Sequence, residues 1–326
     1  MPFGPTALPT TLPPTLERPL PARRTPDRVT ARAPAKVNLH LSVGRLRSDG
    51  FHDLTTVFQA VGLYDDVAVE RADALTVEVT GERADEVPTD QSNLAARAVQ
   101  LLARHTGRSA DVAISIRKGI PVAGGCAGGS ADAAAALVAT DALWGTGLSR
   151  DALAGLGAEL GSDVPFSLHG GTALGTGRGQ QLTPVLGQGG YAWVLALSTV
   201  GLSTPEVYAQ LDRQRDTGPV GLVSSPADVL AALRSGDPVA LGRALGNDLQ
   251  GAAVALRTQL RQVLDTGRSL GALGALVSGS GPTVALLARD AGHAVDLAGA
   301  LATAGVCDAV RRADGPVPGA RVVEVA

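Results

Sequence analysis

Lysine, cysteine and the aromatic residues are scarce in this chain. Its 326 residues include two cysteines, Cys126 and Cys307, which lie far apart and outside any CxxC spacing. A disulfide framework and a zinc site are therefore not indicated. The five histidines form no HExxH pair, the helical zinc motif. Cysteine usage of this kind predicts a reducing, cytoplasmic setting.

The chain also lacks an excess of positive charge. Its formal net charge is -3 and its pI is about 6.0. Proteins that bind nucleic acid neutralise phosphates with a basic surface, so we expect no nucleic-acid partner. With 45% hydrophobic and 18% charged residues the composition is typical of a globular protein. A chain of this length is long enough for two domains of ordinary size, or for one large domain with a well-buried core.

One uncharged run, residues 269–288, is about as long as a membrane-spanning helix. Its centre reads VSGSGPT at 277–283, and this cluster of Gly, Ser and Pro predicts a turn between two buried elements instead. The N-terminus has no uninterrupted apolar core, so no secretory signal is indicated. We expect no membrane association.

Lysine occurs only twice, at Lys36 and Lys118, in a chain rich in arginine. Arginine would serve wherever positive charge alone is needed, so each lysine is a candidate for a specific role. The stretch KVNLHLSV at 36–43 alternates apolar and polar residues, which predicts a half-buried strand. Its polar face would hold Lys36, Asn38, His40 and Ser42.

The first thirty residues are dense in proline and have no apolar period. They predict a disordered extension, residues 1–30, because such a segment cannot build a packed core. We place a domain boundary near residue 186, which gives an N-terminal domain 31–185 and a C-terminal domain 186–326. The periodicity of apolar residues and the residues that start or end helices predict further elements. We expect strands at 65–72, 74–81, 111–120 and 191–198, and helices at 91–107, 131–143 and 149–161.

A glycine-rich stretch, PVAGGCAGGSADAAAAL at 121–137, leads into one of these helices. Glycines there could supply positive φ angles and close packing. Alternatively, bare N–H groups and the helix dipole could face a phosphate. The stretch lacks both the Lys-Ser/Thr pair of the P-loop and the GxGxxG spacing of dinucleotide-binding folds. Ser130 is the candidate N-cap of the helix 131–143.

Asp163 lies in the segment LGSDVPF at 160–166. Pro165 prevents the preceding helix from continuing, so we predict that Asp163 lies on a loop. Taken alone, this residue could be an ordinary turn aspartate or the carboxylate of a catalytic site.

Four segments together resemble the GHMP kinase superfamily, the group of galactokinase, homoserine kinase, mevalonate kinase and phosphomevalonate kinase. They are APAKVNLHL at 33–41, the loop at 121–132, LGSDVPF at 160–166 and VSGSGPT at 277–283, in the superfamily's order. The resemblance implies an α/β (α+β) fold of two domains. A ribosomal-protein-S5-like N-terminal domain and a C-terminal GHMP kinase domain would hold ATP and substrate in the cleft between them.

The same resemblance implies the catalytic residues. Asp163 would take or orient the hydroxyl proton, and Lys36 would steady the transferring phosphoryl group and the nearby carboxylate. Phosphoryl transfer depends mainly on positioning and charge neutralisation, which these groups provide. Mg²⁺ would be bound through ATP, with Ser130 as a candidate ligand.

The glycine-rich loop would bind ATP. The implied residues are Pro121, Val122, Ala123, Gly124, Gly125, Cys126, Ala127, Gly128, Gly129, Ser130 and Ala131. Asn93 and Lys118 would border the adenine pocket or serve only the structure.

The segment RSDGFHDL at 47–54 resembles the superfamily members that act on a cytidine diphosphate sugar alcohol. Phe51, His52, Asn38 and Tyr208 match positions that hold the cytidine end. An aromatic face would stack on the pyrimidine, and an imidazole or amide would read its hydrogen-bonding edge. Core packing for Phe51 and Tyr208, and a capped turn for His52, are the structural alternatives.

The resemblance thus implies ATP-dependent phosphorylation of the 2-hydroxyl of 4-diphosphocytidyl-2-C-methyl-D-erythritol, which yields the 2-phosphate and ADP in the non-mevalonate isoprenoid pathway. A GHMP kinase of the homoserine or mevalonate type is an alternative, as is a nucleotide-binding module without catalysis. A substrate without a base has no use for a stacking site, so DGFH and Tyr208 favour the cytidine substrate. The presence of both Lys36 and Asp163 favours catalysis.

Overall fold

The computed structural model describes Met1, Gly4 and residues 26–122, 124–218, 223 and 225–326. Most of the predicted extension 1–30, and Ala123 of the loop, lie outside the described residues. Residues 28–30, which were predicted to belong to the disordered extension, instead form the start of β1. Within them, the strands are β1 Arg28–Leu46, β2 His52–Arg71, β3 Thr76–Gly81, β4 Val112–Lys118, β5 Thr172–Thr176, β6 Gln181–Pro184, β7 Tyr191–Leu197, β8 Gly246–Asn247, β9 Gly274–Val277, β10 Val284–Ala288, β11 Ala309–Gly315 and β12 Arg321–Val325.

The helices of the described residues are α1 Leu94–Thr106, α2 Gly128–Trp144, α3 Arg150–Leu160, α4 Val164–His169, α5 Thr204–Thr217, α6 Pro226–Ser235, α7 Pro238–Ala244, α8 Gln250–Leu256, α9 Gln259–Ser269 and α10 Ala291–Ala304. A short 3₁₀ helix spans Ala84–Glu86. The strands predicted at 36–43, 65–72, 74–81, 111–120 and 191–198 are confirmed within β1, β2, β3, β4 and β7. The helices predicted at 91–107 and 149–161 are confirmed as α1 and α3.

The first sheet is built around two long strands, β1 and β2, of 19 and 20 residues. Its order is β12-β1-β2-β4-β3, with β5 beside β2, β6 beside β5 and β8 beside β1. The pairs β3/β4 and β1/β8 are parallel, and the others are antiparallel. The β1/β2 register shifts after Pro34, Asn38 and Val43. Such irregularities bend a strand and redirect its side chains, and two of them flank the residues of the site.

Helix α2 packs on this sheet and against α1. Twelve of its 17 residues are buried, including the alanine run 133–136. Alanine side chains let neighbouring elements approach closely, so the alanine-rich sequence suits a helix in the centre of the core. The position of this helix fixes the loop that precedes it.

The second sheet is antiparallel, with the order β11-β7-β10-β9. Every residue of β7, β9 and β10 is buried. The predicted turn at VSGSGPT is confirmed, since residues 278–283 connect β9 to β10. In the part of the chain that the structure describes, no helix has both the length and the apolar character of a membrane span.

Strands from both sides of residue 186 share the first sheet. β8 and β12 come after that residue, yet each pairs with β1. The predicted boundary therefore separates most of the two sheets but not all of their strands, and the division into 31–185 and 186–326 stays a prediction.

The polar face of β1 is not half-buried, and that part of the prediction was wrong. Lys36, Asn38 and His40 are 5%, 3% and 0% exposed. His40 has no hydrogen-bond partner for either ring nitrogen among the described residues. Burial lowers the pKa of this imidazole, although Asp248 and Asp228 act in the opposite direction. β8, from the second half of the chain, pairs with this part of β1 at His40 and Leu41.

Candidate active site

A cleft of about 910 Å³ opens beside the glycine-rich loop. Its walls come from β1, β2, the loop 121–130, the turn at 162–163, helix α5 and the turn 279–281. The structure brings nearly all the described site residues of the sequence prediction into this one cleft. The exceptions are Asn93, Cys126 and Ala131, which do not line it.

Helix α2 begins at Gly128 rather than at Ala131, so the prediction of Ser130 as its N-cap was wrong. The N-cap is Ala127, whose φ of 62° is left-handed and which offers no side-chain cap. Gly128 and Gly129 continue into the helix, and Ser130 lies in its first turn. The N–H groups of a first helical turn carry partial positive charge and need acceptors. With no capping side chain, this helix start is suited to a phosphate.

The loop is held on two sides by backbone hydrogen bonds. The Lys36 N–H donates to the Cys126 carbonyl at 3.2 Å, which ties the loop to β1. The Thr283 N–H donates to the Gly124 carbonyl at 3.2 Å, which ties it to the turn between β9 and β10. The two glycine-rich segments of the sequence thus form one unit.

Gly125 has the closest contact within this unit. Its φ is +75°, and a Cβ there would lie 2.5 Å from the Ser278 carbonyl oxygen and 2.8 Å from that of Gly281. Both the backbone angle and the space therefore require glycine. The turn itself is held by Asn247, whose amide donates to the carbonyls of Val277 and Gly279 at 2.8 and 2.7 Å.

We expect Gly125→Ala to lower the free energy of unfolding by about 1–3 kcal/mol, the usual scale of a strained backbone position. Because the loop must move away from the turn, kcat/KM should fall as well. Gly155→Ala is the matched control: Gly155 lies in α3 with nothing within 4 Å of its Cβ position. Thermal melts and initial rates of both variants check this, and a Gly125→Ala enzyme as stable and active as the Gly155→Ala enzyme would contradict it.

Lys36 and Asp163 face each other across the cleft. The Lys36 Nζ lies 3.7 Å from Asp163 Oδ2, and the two side chains are 7% and 31% exposed. Asp163 lies in the turn between α3 and α4, outside both helices as predicted, where it is the N-cap of α4; Pro165 lies in the first turn of α4, where its missing N–H is tolerated. The Asp163 carboxylate makes no cap hydrogen bond. It is therefore free to meet a substrate hydroxyl.

A buried network orients the lysine. Nζ donates to Asn38 Oδ1 at 2.7 Å, and the Asn38 amide donates to Thr56 Oγ1 at 2.8 Å. The Thr56 hydroxyl in turn donates to the His40 carbonyl at 2.7 Å. The Asn38 side chain thus lies beside Lys36 with both of its polar atoms engaged, so its predicted contact with the cytidine end stays a prediction.

Asn93 has a structural role at the start of α1. Its Oδ1 accepts from the Ala95 N–H at 2.8 Å as the N-cap of α1, and its amide donates to the Pro88 carbonyl at 2.6 Å. Pro88 lines the cleft although Asn93 does not. The asparagine therefore supports that wall of the cleft through Pro88.

Lys118 lines the cleft but its ammonium is already engaged. Nζ lies 2.5 Å from Asp65 and 2.7 Å from Asp132, and all three side chains are buried. Burial lowers the pKa of Lys118, but the two carboxylates more than offset this and raise it. Burial raises the pKa of Asp132 to about 8, against the opposing effect of Lys118. This triad supports a structural role for Lys118. The triad was not predicted from the sequence.

Phe51, His52 and Tyr208 line the end of the cleft formed by the start of β2 and by α5. The His52 and Tyr208 rings are 5.0 Å apart at 37°, while Phe51 is 49% exposed. Burial and the Asp163 charge raise the pKa of Tyr208, so its hydroxyl stays protonated.

Two further residues at this end of the cleft were not predicted from the sequence. The Arg178 guanidinium lies 4.8 Å from the centroid of the Phe51 ring, within cation–π range. Asp212 lies 3.1 Å from His52 Nε2. Asp212 follows Tyr208 by four residues, and that helical spacing could have placed the two on one face.

The cleft offers oxygen ligands that fit Mg²⁺. Ser130 and Asp163 both line it, and Ser130 Oγ lies 4.0 Å from the Cβ position of Gly161, next to the Asp163 turn. Among the described residues, no three His, Cys, Asp or Glu side chains group as a metal site. Mg²⁺ commonly takes one or two protein oxygens together with substrate phosphates and water. This donor set suits a magnesium ion held mainly by ATP.

Known proteins are similar to this chain along most of its length. The model "GHMP kinases N terminal domain" matches residues 93–171, and "GHMP kinases C terminal" matches residues 229–307. The 4-diphosphocytidyl-2-C-methyl-D-erythritol kinase of Nocardia farcinica is 59% identical over 92% of this chain and 97% of its own length. This chain belongs to the 4-diphosphocytidyl-2-C-methyl-D-erythritol kinase family. The family predicted from the four motifs is confirmed.

Solved structures place this kinase in the GHMP fold. A crystal structure of a 4-(cytidine 5'-diphospho)-2C-methyl-D-erythritol kinase aligns with a TM-score of 0.71 at 34% identity, covering 87% of this chain and 98% of the other. A homoserine kinase from Cytophaga hutchinsonii aligns with a TM-score of 0.73 at 19% identity, covering 93% and 100%. The predicted two-domain α/β GHMP kinase fold is confirmed. Since kinases of different substrates share this fold, the substrate must be argued from the site.

Proposed function

We propose that this kinase transfers the γ-phosphoryl group of ATP to the 2-hydroxyl of 4-diphosphocytidyl-2-C-methyl-D-erythritol, a step of the non-mevalonate isoprenoid pathway. The observation that carries the proposal is the pair Lys36 and Asp163, 3.7 Å apart, in the same cleft as the uncapped start of α2. These groups are what phosphoryl transfer to an alcohol requires.

Asp163 accepts or orients the proton of the attacking hydroxyl. Its carboxylate is partly exposed and unused by the helix it precedes, so it can reach the substrate. Lys36 holds positive charge beside that carboxylate and beside the transferring group, where it offsets developing negative charge. Asn38 keeps the ammonium in place through its 2.7 Å hydrogen bond.

The start of α2 and the glycine loop receive the phosphates of ATP. Backbone N–H groups at Gly128, Gly129 and Ser130 are directed by the helix, and the missing cap leaves them for the nucleotide. When bound with ATP, Mg²⁺ would neutralise phosphate charge, and Ser130 is the residue suited to hold it.

The cytidine end lies against Phe51, His52 and Tyr208. Interactions there are remote from the reacting hydroxyl, and their binding energy positions that hydroxyl for transfer. A homoserine or mevalonate substrate has no base to fill this region. Its aromatic and hydrogen-bonding lining therefore supports the cytidine substrate.

A coupled assay of ADP formation tests the proposal. The purified enzyme is given ATP with 4-diphosphocytidyl-2-C-methyl-D-erythritol, homoserine or mevalonate in parallel. We expect turnover with the first acceptor only. Turnover with homoserine or mevalonate in its place would reassign the substrate. Absence of turnover with all three acceptors would contradict a kinase that acts on any of them.

His52→Ala and Tyr208→Ala should separate recognition of the base edge from stacking. A mispaired buried polar group costs about 1–3 kcal/mol, so wild type should prefer the cytidine substrate over its uridine analogue by roughly 10-fold or more. His52→Ala should narrow this preference, whereas Tyr208→Ala should weaken both substrates about equally. The measurement is kcat/KM for both substrates with all three enzymes. Should His52→Ala leave the preference unchanged, the assignment of His52 to the cytosine edge would be wrong.

A further inference from the structure

The His52 imidazole is held on one side by a carboxylate. Nε2 lies 3.1 Å from Asp212 Oδ1 and 3.2 Å from Oδ2. The histidine side chain is 7% exposed and the aspartate 30%. The contact joins the first residue of β2 to α5, 160 positions further along the chain.

Helix α5 contacts the ring at two points. Tyr208 places its ring 5.0 Å from that of His52, and Asp212, one helical turn later, bonds to Nε2. Residues four apart lie on one face of a helix. The same face of α5 therefore restricts both the ring's position and the direction of its Nε2.

A carboxylate accepts hydrogen bonds and donates none. The nitrogen facing Asp212 must therefore carry the hydrogen. In a neutral imidazole the other nitrogen, Nδ1, is then an acceptor. Among the described residues, His52 has no side-chain hydrogen bond other than that to Asp212, so Nδ1 is available to a ligand in the cleft.

The two pyrimidines differ at the position such an acceptor would read. Cytosine carries an amino group, a donor, where a uracil-type base carries a carbonyl oxygen, an acceptor. An acceptor at Nδ1 matches the amino group and opposes the carbonyl. The tautomer of His52 thus decides which base is accepted.

We infer that Asp212 is a positioning residue, which fixes His52 in the tautomer protonated on Nε2 and so makes the site select an amino-bearing pyrimidine. The inference rests on the proposed function, because it concerns the base of the proposed substrate. Asp212 acts through His52 and does not touch the reacting atoms.

The tautomer can be measured without turnover. Heteronuclear NMR of the histidine ring nitrogens in the ligand-free protein, at mildly alkaline pH, should show His52 protonated on Nε2. In Asp212→Asn the amide can either accept from or donate to Nε2, so the Nδ1-protonated form should appear. A wild-type His52 protonated on Nδ1 would overturn the inference, and that result needs no variant to fold.

Kinetic selectivity provides the second readout. Asp212→Asn should reduce the preference for the cytidine substrate over its uridine analogue, as a ratio of kcat/KM, by about 10-fold. Asp212→Glu retains a carboxylate and should keep most of the preference. Asp216→Asn is the matched control, since it removes the same charge from an exposed position one turn later on α5. It should leave both the ratio and the tautomer unchanged.

The outcomes separate this inference from the proposed function. Wild-type turnover of the cytidine substrate, with an Asp212→Asn enzyme of unchanged tautomer and unchanged ratio, would overturn the role of Asp212 and leave the function standing. No wild-type turnover of that substrate would overturn both. A thermal melt of each variant shows whether it is folded. If Asp212→Asn is unfolded, the role of Asp212 is decided by the tautomer of wild-type His52 and by the kcat/KM ratio of the Asp212→Glu enzyme.

Discussion

Asp163→Asn is expected to lower kcat by about 10²–10⁴-fold, the usual loss when a single acid–base group is removed. The amide has nearly the same shape as the carboxylate but cannot take the hydroxyl proton. ATP binds at the loop and the start of α2, so its affinity should change little. Steady-state rates with the cytidine substrate and calorimetric titration with ATP measure the two effects.

The position of Asp163 indicates that its replacement by Asn should not disturb the fold. Its carboxylate caps no helix N–H, and its nearest charged partner is Lys36 at 3.7 Å. We therefore expect a melting temperature close to that of the wild type. Asp151→Asn is the matched control, because that side chain is 93% exposed on the neighbouring helix α3. An Asp163→Asn enzyme that turns over as fast as this control would show that Asp163 is not the base.

The parts of the molecule that local sequence patterns determine could be predicted. Ser149 caps α3 and Gly161 ends it, as the sequence indicates, because both signals act within a few residues. The turn between β9 and β10 follows from the Gly, Ser and Pro at its centre in the same way. The four motifs predicted the family, and the cleft contains residues from all four.

The start of α2 could not be placed, because two local signals competed there. Serine is a favourable N-cap and glycine is a poor helix former, so the pattern favoured a start after Ser130. In the structure the left-handed Ala127 and the close contact of Gly125 with the turn at Ser278 and Gly281 determine the loop's path. The helix consequently begins at Gly128.

Contacts between distant segments escaped prediction for a different reason. Lys118 meets Asp65 across 53 residues, and His52 meets Asp212 across 160. No periodicity within one element reports such pairs. The same limit applies to β1, where the buried Lys36 lies beside the distant Asp163.

Lys36→Met is expected to reduce kcat by about 10²–10³-fold, comparable to the loss of one preorganised charge-stabilising donor. Methionine fills similar space along the side chain but has no charge to place beside Asp163 and the transferring group. It also removes the donor to Asn38, so part of the loss reflects a less ordered cleft. Arg28→Met, at an exposed pair with Glu70 at the start of β1, is the control and should have little effect.

Lys36→Arg should recover only part of the activity, because the site is shaped for a compact ammonium. Nζ already lies 2.7 Å from Asn38 Oδ1 and 3.7 Å from Asp163 Oδ2, which leaves little room for a planar guanidinium. Both variants keep the backbone bond from residue 36 to Cys126, so ATP should still bind. Comparing kcat for the Lys, Arg and Met enzymes at saturating ATP separates charge from geometry. Full activity in Lys36→Arg would mean that charge alone suffices, and wild-type activity in Lys36→Met would remove Lys36 from the chemistry.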